Sequence, residues 1–231
     1  MNRFVSVFAL GALFVATAAF AADKKITYEF SPDGRTVRVT NPPAAVPDTS
    51  NDTSLRRIAG NFSTYPLARY FSIWGNTIAQ GGSNFPFQAW MGIAFTPASD
   101  ASVTKIQVSA GHQGSGTTGF EVGLWDDDNG VPGKPLKSIH VKQLPNYGEC
   151  CKVATAMIPN GVSVKGGTRY WVVVSTTAND TDIYAWAYNS TDMSAQKAAF
   201  WCKGDSTFCG TNSGVWQPFD YVQNGFAVWG Q

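Results

Sequence analysis

Few residues in this chain have types and spacing that could do chemistry. It has only two histidines, His112 and His140. His112 lies in Gly111-His112-Gln113-Gly114-Ser115-Gly116, which reads as a loop tip, and His140 falls on an alternating strand. Neither has an acid or a nucleophile set beside it in the sequence, so both are expected to be solvated or hydrogen-bonded structural residues. There is no His-Glu-x-x-His, no Gly-x-Ser-x-Gly and no glycine loop built to cradle phosphate. Gly204-Asp205-Ser206 matches three residues of one esterase nucleophile block. It sits inside the small Cys202 to Cys209 loop, where such a short match arises by chance. The expectation is a protein without catalytic residues and without a cofactor.

Asp126-Asp127-Asp128-Asn129-Gly130 offers oxygen ligands that suit calcium. The spacing departs from the EF-hand, with Gly130 one residue early and no glutamate at the required distance. Three adjacent carboxylates also repel one another unless screened. The preferred reading is a tight turn from Asp-Asn-Gly and Val-Pro-Gly, joining two strands, with calcium as the alternative. No zinc site is expected, because Cys150-Cys151 lacks the two-residue spacer of a ligand pair and neither histidine is near it. No metal is assigned.

Four cysteines in an exported chain point to two disulfides. Cys202 and Cys209 enclose six residues, a loop readily closed by a local bridge, which leaves Cys150 and Cys151 to pair with each other. A vicinal bridge needs a distorted peptide, since adjacent Cα atoms lie about 3.8 Å apart against the usual disulfide minimum of about 4.4 Å. The alternative joins Cys150 and Cys151 to Cys202 and Cys209, and requires neighbouring side chains to point the same way, which a regular strand forbids. Local plus vicinal pairing is preferred.

The eight tryptophans are the remaining chemical handle. Trp125 shares the outward face of its strand with Glu121 and Gly123. Tyr184, Trp186 and Tyr188 form one aromatic face opposite Ile183, Ala185 and Ala187, and Trp201 and Trp216 bracket the cysteine loop. Flat rings beside amides and hydroxyls suit a sugar, whose C–H faces stack on indoles while its hydroxyls take hydrogen bonds. Trp125, Trp186, Tyr188, Trp201 and Trp216 are therefore the candidate ligand residues. The competing reading places these rings in the core or at the ends of the fold.

The elements that must hold these residues are strands. Short runs rich in Val, Ile, Thr and aromatics recur near Arg69 to Asn76, Gln88 to Phe95, Val103 to Ser109, Gly119 to Trp125, Leu136 to Val141, Lys152 to Ile158, Thr168 to Ser175, Ile183 to Tyr188 and Gly225 to Trp229. No window keeps a 3.6-residue apolar period, and Met193 to Trp201 reads as a loop with one helical turn. This predicts an all-β, antiparallel, jelly-roll-like β-sandwich over residues 55–231. Tyr170-Trp171-Val172-Val173-Val174 is apolar on both faces and should be a central strand, whereas Phe120, Val122 and Leu124 should point inward and Glu121 outward. Ahead of the sandwich, residues 22–40 read as a β-hairpin turning at Pro32-Asp33-Gly34, and the proline- and hydroxyl-rich residues 41–54 read as a linker.

Residues 1–21 read as a secretory signal peptide: Arg3, an apolar run from Phe4 to Phe20, and Ala19-Phe20-Ala21 as a small-x-small cleavage site. An uncleaved anchor is the alternative, though the run is slightly short for a span. Of the 17 basic residues only Arg3 leaves with the signal, so 16 basic face 16 acidic ones and the mature chain is formally neutral. That balance gives no footprint for nucleic acid. With no second apolar run of spanning length, no membrane span is expected after signal cleavage.

Ala94-Phe95-Thr96-Pro97, Leu124 to Gly133, Leu144 to Cys151, Gly166 to Val174 and the closing Phe226-Ala227-Val228-Trp229-Gly230 together resemble secreted bacterial domains of the choice-of-anchor type, type R, over roughly residues 70–230. The resemblance implies a jelly-roll sandwich on an exported protein and supplies no catalytic residues. The chain departs from that pattern in closing at Gln231 without a sorting tail, which favours a released or periplasmic protein over a covalently attached one. The expected function is a secreted or periplasmic, non-catalytic module binding an extracellular or cell-envelope glycan. The alternatives are a structural or matrix protein whose partner is another protein, through the hairpin of residues 26–39, and a hydrolase of unknown substrate.

Overall fold

The computed structural model describes residues 27–30, 36–40, 55–62, 74–79, 86–113, 118–142, 144, 146, 153–180, 182–189, 197–204, 206–219 and 223–231. These form sixteen strands: β1 (Thr27–Phe30), β2 (Thr36–Thr40), β3 (Arg56–Gly60), β4 (Trp74–Ala79), β5 (Phe87–Phe95), β6 (Ala101–Val108), β7 (Ala110–His112), β8 (Phe120–Asp128), β9 (Val131–Val141), β10 (Ala154–Val164), β11 (Tyr170–Ser175), β12 (Ile183–Asn189), β13 (Ala198–Gly204), β14 (Val215–Phe219), β15 (Gln223–Asn224) and β16 (Phe226–Gly230). One helical turn, α1 (Ser206–Cys209), interrupts them. The protein is an all-β antiparallel sandwich, as its strand spacing predicts. Residues 1–21, read as a signal peptide, residues 41–54, read as a linker, and Cys150 and Cys151 lie outside the described residues.

A four-stranded sheet, ordered β10-β6-β16-β3, packs against a twelve-stranded sheet whose main path is β1-β2-β4-β5-β11-β8-β9. β13 pairs with β5 and β14 with β13, so one arm of the large sheet runs β14-β13-β5-β11-β8-β9. β12 joins β4 and carries β7 and β15. The N-terminal hairpin is built onto this sheet, since β2 is hydrogen-bonded to β4.

Alternation sends Val103, Ile106, Val108, Ala154, Phe226 and Val228 from the small sheet into contact with Met91, Ile93, Phe120, Val122, Leu124, Val172 and Trp186 from the large one. Each fully buried aliphatic or aromatic side chain contributes about 1.5–3 kcal/mol relative to exposure. Buried amides lock the sheets together. Asn61 Nδ2 donates to the Asn224 carbonyl at 2.8 Å, the Phe226 N–H donates to Asn61 Oδ1 at 3.0 Å, and Asn224 Nδ2 donates to Asn76 Oδ1 at 2.9 Å.

The arm that ends at β9 and β14 curls into a half-barrel. Trp125 on β8 and Trp216 on β14 have three strands between them, yet their ring centroids are 6.1 Å apart. In a flat sheet their backbones would be about 19 Å apart, four strand spacings. Curling buries the outer face as a second apolar cluster of Trp171, Val173 and Ala199, with Ala94, Trp125, Val131 and Trp216 packed around it. β11 is thus buried along its whole length, with Val172 and Val174 facing one cluster and Trp171 and Val173 the other.

Two local features drive the curl. Asn129 (φ 53°) and Gly130 (φ 93°) give the β8–β9 connection two successive left-handed residues, the backbone of a two-residue hairpin turn. The turn matches the Asp-Asn-Gly reading, but β9 begins at Val131 rather than Leu136. Pro132 and Pro135 are tolerated there because β9 pairs only with β8 among the described strands, leaving one edge without ladder bonds. Pro132 then closes over Gly92, where an added Cβ would stand 2.8 Å from its ring. A second correction concerns Met193 to Trp201: residues from Ala198 onward are the strand β13, stabilised by β5 on one side and β14 on the other.

Candidate functional site

β5 alternates Phe87, Ala89, Met91 and Ile93 into the main core, so Trp90 must point to the opposite face. β13 does the same: Phe200 and Cys202 point inward and Trp201 outward. Register sets Trp201 directly opposite Trp90 on β5 and directly opposite Trp216 on β14. Three tryptophans therefore form a row across three adjacent strands. Trp90 and Trp201 stack with centroids 4.2 Å apart and planes inclined by 16°, and Trp216 meets Trp125 edge to face at 81°. All four are half-buried, which makes a continuous aromatic ribbon at the surface.

Polar groups fix the ribbon. Trp90 Nε1 donates to Thr176 Oγ1 at 3.0 Å, and that hydroxyl donates to the Ala79 carbonyl at 3.3 Å. Trp125 lies over Gly123, where a Cβ would stand 2.5 Å from its Nε1, and this N–H is shielded from water with no hydrogen-bond partner among the described residues. Beneath it, Trp171 Nε1 donates to Asp127 Oδ1 at 2.8 Å, and Arg169 Nη1 lies 3.6 Å from the same oxygen. Lys203 and Lys197 share the outward parity of Trp201 and are exposed, and Gln88 stands opposite Lys203.

Of the candidate ligand residues, Trp125, Trp201 and Trp216 are brought together. Trp186 is not a surface ring: it is fully buried, its Nε1 donating to the Gly225 carbonyl at 2.9 Å. The aromatic face read on β12 exists but points into the core, with Tyr184 also fully buried and edge-on to Phe120. The side chain of Tyr188 lies outside the described residues. Trp90 is the ribbon residue that sequence reasoning missed. Its parity against Phe87, Ala89, Met91 and Ile93 was the available signal. Trp229, outward on the small sheet, is engaged locally, donating to Gln107 Oε1 at 2.8 Å beneath the Lys105 ammonium, 5.0 Å from its ring centroid.

The Asp126 to Gly130 carboxylates hold the turn. Asp126 Oδ1 accepts from the Lys134 N–H, Asp127 Oδ2 from the Gly130 N–H at 3.2 Å, and Asp128 Oδ1 from Asn129 Nδ2 at 2.8 Å. Among the described residues no group of three or more His, Cys, Asp or Glu is placed to hold a metal ion. His140 Nε2 lies 3.6 Å from the buried Asp180, and His112 sits opposite Tyr184 in the β7–β12 pairing. Cys202 and Cys209 are joined in a disulfide that is almost wholly buried, on the core side of the strand that carries Trp201. Among the described residues no helix is long and apolar enough to cross a membrane. No family model and no curated protein matches the chain.

Proposed function

We propose that this is a secreted or periplasmic, non-catalytic module that binds an extracellular or cell-envelope glycan along Trp90, Trp201, Trp216 and Trp125. The observation that carries this reading is the register of Trp90, Trp201 and Trp216 on three neighbouring strands, continued by Trp125. Half-buried indoles held rigidly by their neighbours offer apolar surface to sugar C–H faces at little ordering cost. The choice-of-anchor resemblance supports the same reading, since it implies an exported sandwich and brings no catalytic residues.

Titration of intrinsic tryptophan fluorescence with polysaccharides and envelope glycans tests it. A saturable shift that disappears in Trp201→Ala is expected. A second reading has one observation in its favour: β1 pairs only with β2 among the described strands, leaving an edge where a protein partner's strand would add. Binding that ignores Trp201→Ala but fails when β1 is changed would select that reading.

A further inference from the structure

We infer that the ligand of the tryptophan ribbon is an acidic glycan, carrying carboxylate or sulfate groups, and that Lys203 and Lys197 select it; this rests on glycan binding at the ribbon.

The near-neutrality of the chain, formally +1, hides an asymmetry in how its charges are deployed. Most described carboxylates are committed to local donors, whether recessed, as Asp127, Asp180 and Asp182 are, or exposed, as Asp100 and Asp128 are. Asp127 accepts from Trp171, Asp180 from the Thr177 N–H and hydroxyl, Asp182 from the Thr118 N–H and hydroxyl, Asp100 from the Gly166 N–H and Asp128 from Asn129. They cap turns and tie loops to strands. Most described cations instead stand outward on long stems: Arg56, Arg57, Lys134, Lys137, Lys142, Lys165, Lys197 and Lys203 are exposed, whereas Lys105 is buried over Trp229 and Arg169 lies 3.6 Å from Asp127.

Two of these cations belong to the ribbon. Lys197 and Lys203 lie four residues before and two residues after Trp201, on the same outward parity. Lys203 is thus about 6–7 Å along the strand from Trp201, roughly one sugar ring away. Neither ammonium has a described carboxylate within ion-pair distance. Directly opposite Lys203, on β5, is Gln88, two residues from Trp90. The stacked pair of indoles is therefore followed by an ammonium and an amide in one row. A sugar on the indoles would set an acidic substituent where Lys203 can form a charge-assisted hydrogen bond. The next acidic unit on the other side would meet Lys197.

The test is the affinity of the mature protein for polygalacturonate, dextran sulfate, uncharged dextran and cellohexaose, at low and high salt. The proteins compared are wild type, Lys203→Gln, Lys203→Arg, the double variant Lys197→Gln/Lys203→Gln, and Trp201→Ala. Wild type should bind one acidic polymer at least about tenfold more tightly than either uncharged glycan, and Lys203→Gln should erase about tenfold of that, the scale of a lost charge-assisted bond. Lys203→Arg should retain it. Binding should weaken toward 1 M salt, where the screening length falls to about 3 Å. Which polymer binds tells carboxylate from sulfate. Equal affinity for uncharged glycans, unmoved by Lys203→Gln, would overturn the acidic preference and leave glycan binding standing. Acidic binding that survives Trp201→Ala would be ion exchange at exposed lysines and would overturn it as well. No binding to any of the four would remove the glycan reading itself.

Discussion

Trp90 and Trp201 face each other across β5 and β13 with ring centroids 4.2 Å apart, each on the reverse side of a strand whose neighbouring residues line the main core. The pair ties the outer surface to the core through the backbone of two strands. Substitution at Trp201 should therefore have separable effects. Stability should fall by about 2–4 kcal/mol, since an aromatic pair adds about 0.5–1.5 kcal/mol to the burial lost with a half-buried indole. Glycan binding should be lost. Urea denaturation and fluorescence titration of Trp201→Ala measure the two separately.

Trp186 should behave in the opposite way. It is fully buried and its indole N–H is satisfied by the Gly225 carbonyl. Trp186→Ala should cost about 3–5 kcal/mol, the range for deleting a large core aromatic. Trp186→Phe should recover part of that loss and bind glycan normally once folded. Denaturant midpoints of the two variants decide this.

The contrast between these two rings shows what the sequence could not contain. Period-two spacing divides a strand into two faces but does not say which face meets the core. For Phe120, Val122 and Leu124 the polar residue Glu121 settles the matter, and the expected orientation holds. On β12 both faces are apolar, with Tyr184 and Trp186 opposite Ala185 and Ala187, and all four are buried. On β5 the parity that Trp90 shares with Gln88, against Phe87, Ala89, Met91 and Ile93, is a sign that it is outward, but a weak one, because Gly92 and Ala94 continue that face without a polar side chain. The alanines of β13 carry little strand signal; pairing with β5, remote in sequence, and with the following strand β14 stabilises it. The central position of Tyr170 to Val174 and the Asp-Asn-Gly turn were legible because each is a local pattern with one physical solution.

The curl of the half-barrel depends on close approach at Gly92. A Cβ there would stand 2.8 Å from Pro132 Cγ and push β9 away from the second apolar cluster. Gly92→Ala should destabilise the fold by about 1–3 kcal/mol, the usual cost of overpacking. Thermal unfolding of the variant checks the magnitude. A red shift in tryptophan emission should accompany it, as Trp171 and Trp125 gain solvent.

Reduction of the Cys202–Cys209 bridge should weaken the fold without abolishing it. An eight-residue ring contributes about 2.5 kcal/mol in the chain-entropy model, against a core drawn from both sheets. The urea midpoint with and without reductant gives the difference. Peptide mapping without reduction should recover Cys202 and Cys209 linked.

Alkaline pH should destabilise the protein through Tyr184. Burial raises its phenol well above the ordinary value; the Thr118 hydrogen bond partly opposes this, and the charges of Asp180 and Asp182 add to it. The unfolded chain releases that proton from about pH 10 while the native state retains it, so the unfolded state binds fewer protons and stability falls as pH rises beyond that point. Below pH 10 the contribution is fully present. Urea midpoints between pH 8 and pH 11 should fall at the upper end, and Tyr184→Phe should flatten part of the decline.

The most direct test of the proposed glycan-binding surface is a titration of the eight indole N–H signals in a heteronuclear NMR spectrum of the 15N-labelled protein, assigned by single Trp→Phe variants. With polygalacturonate or dextran sulfate, the signals of Trp90, Trp201, Trp216 and Trp125 should shift together and saturate, while those of the buried Trp171 and Trp186 stay in place. Saturable shifts confined to Trp229, or no indole shift under conditions where the polymer demonstrably binds, would contradict the assignment of the ribbon as the ligand surface.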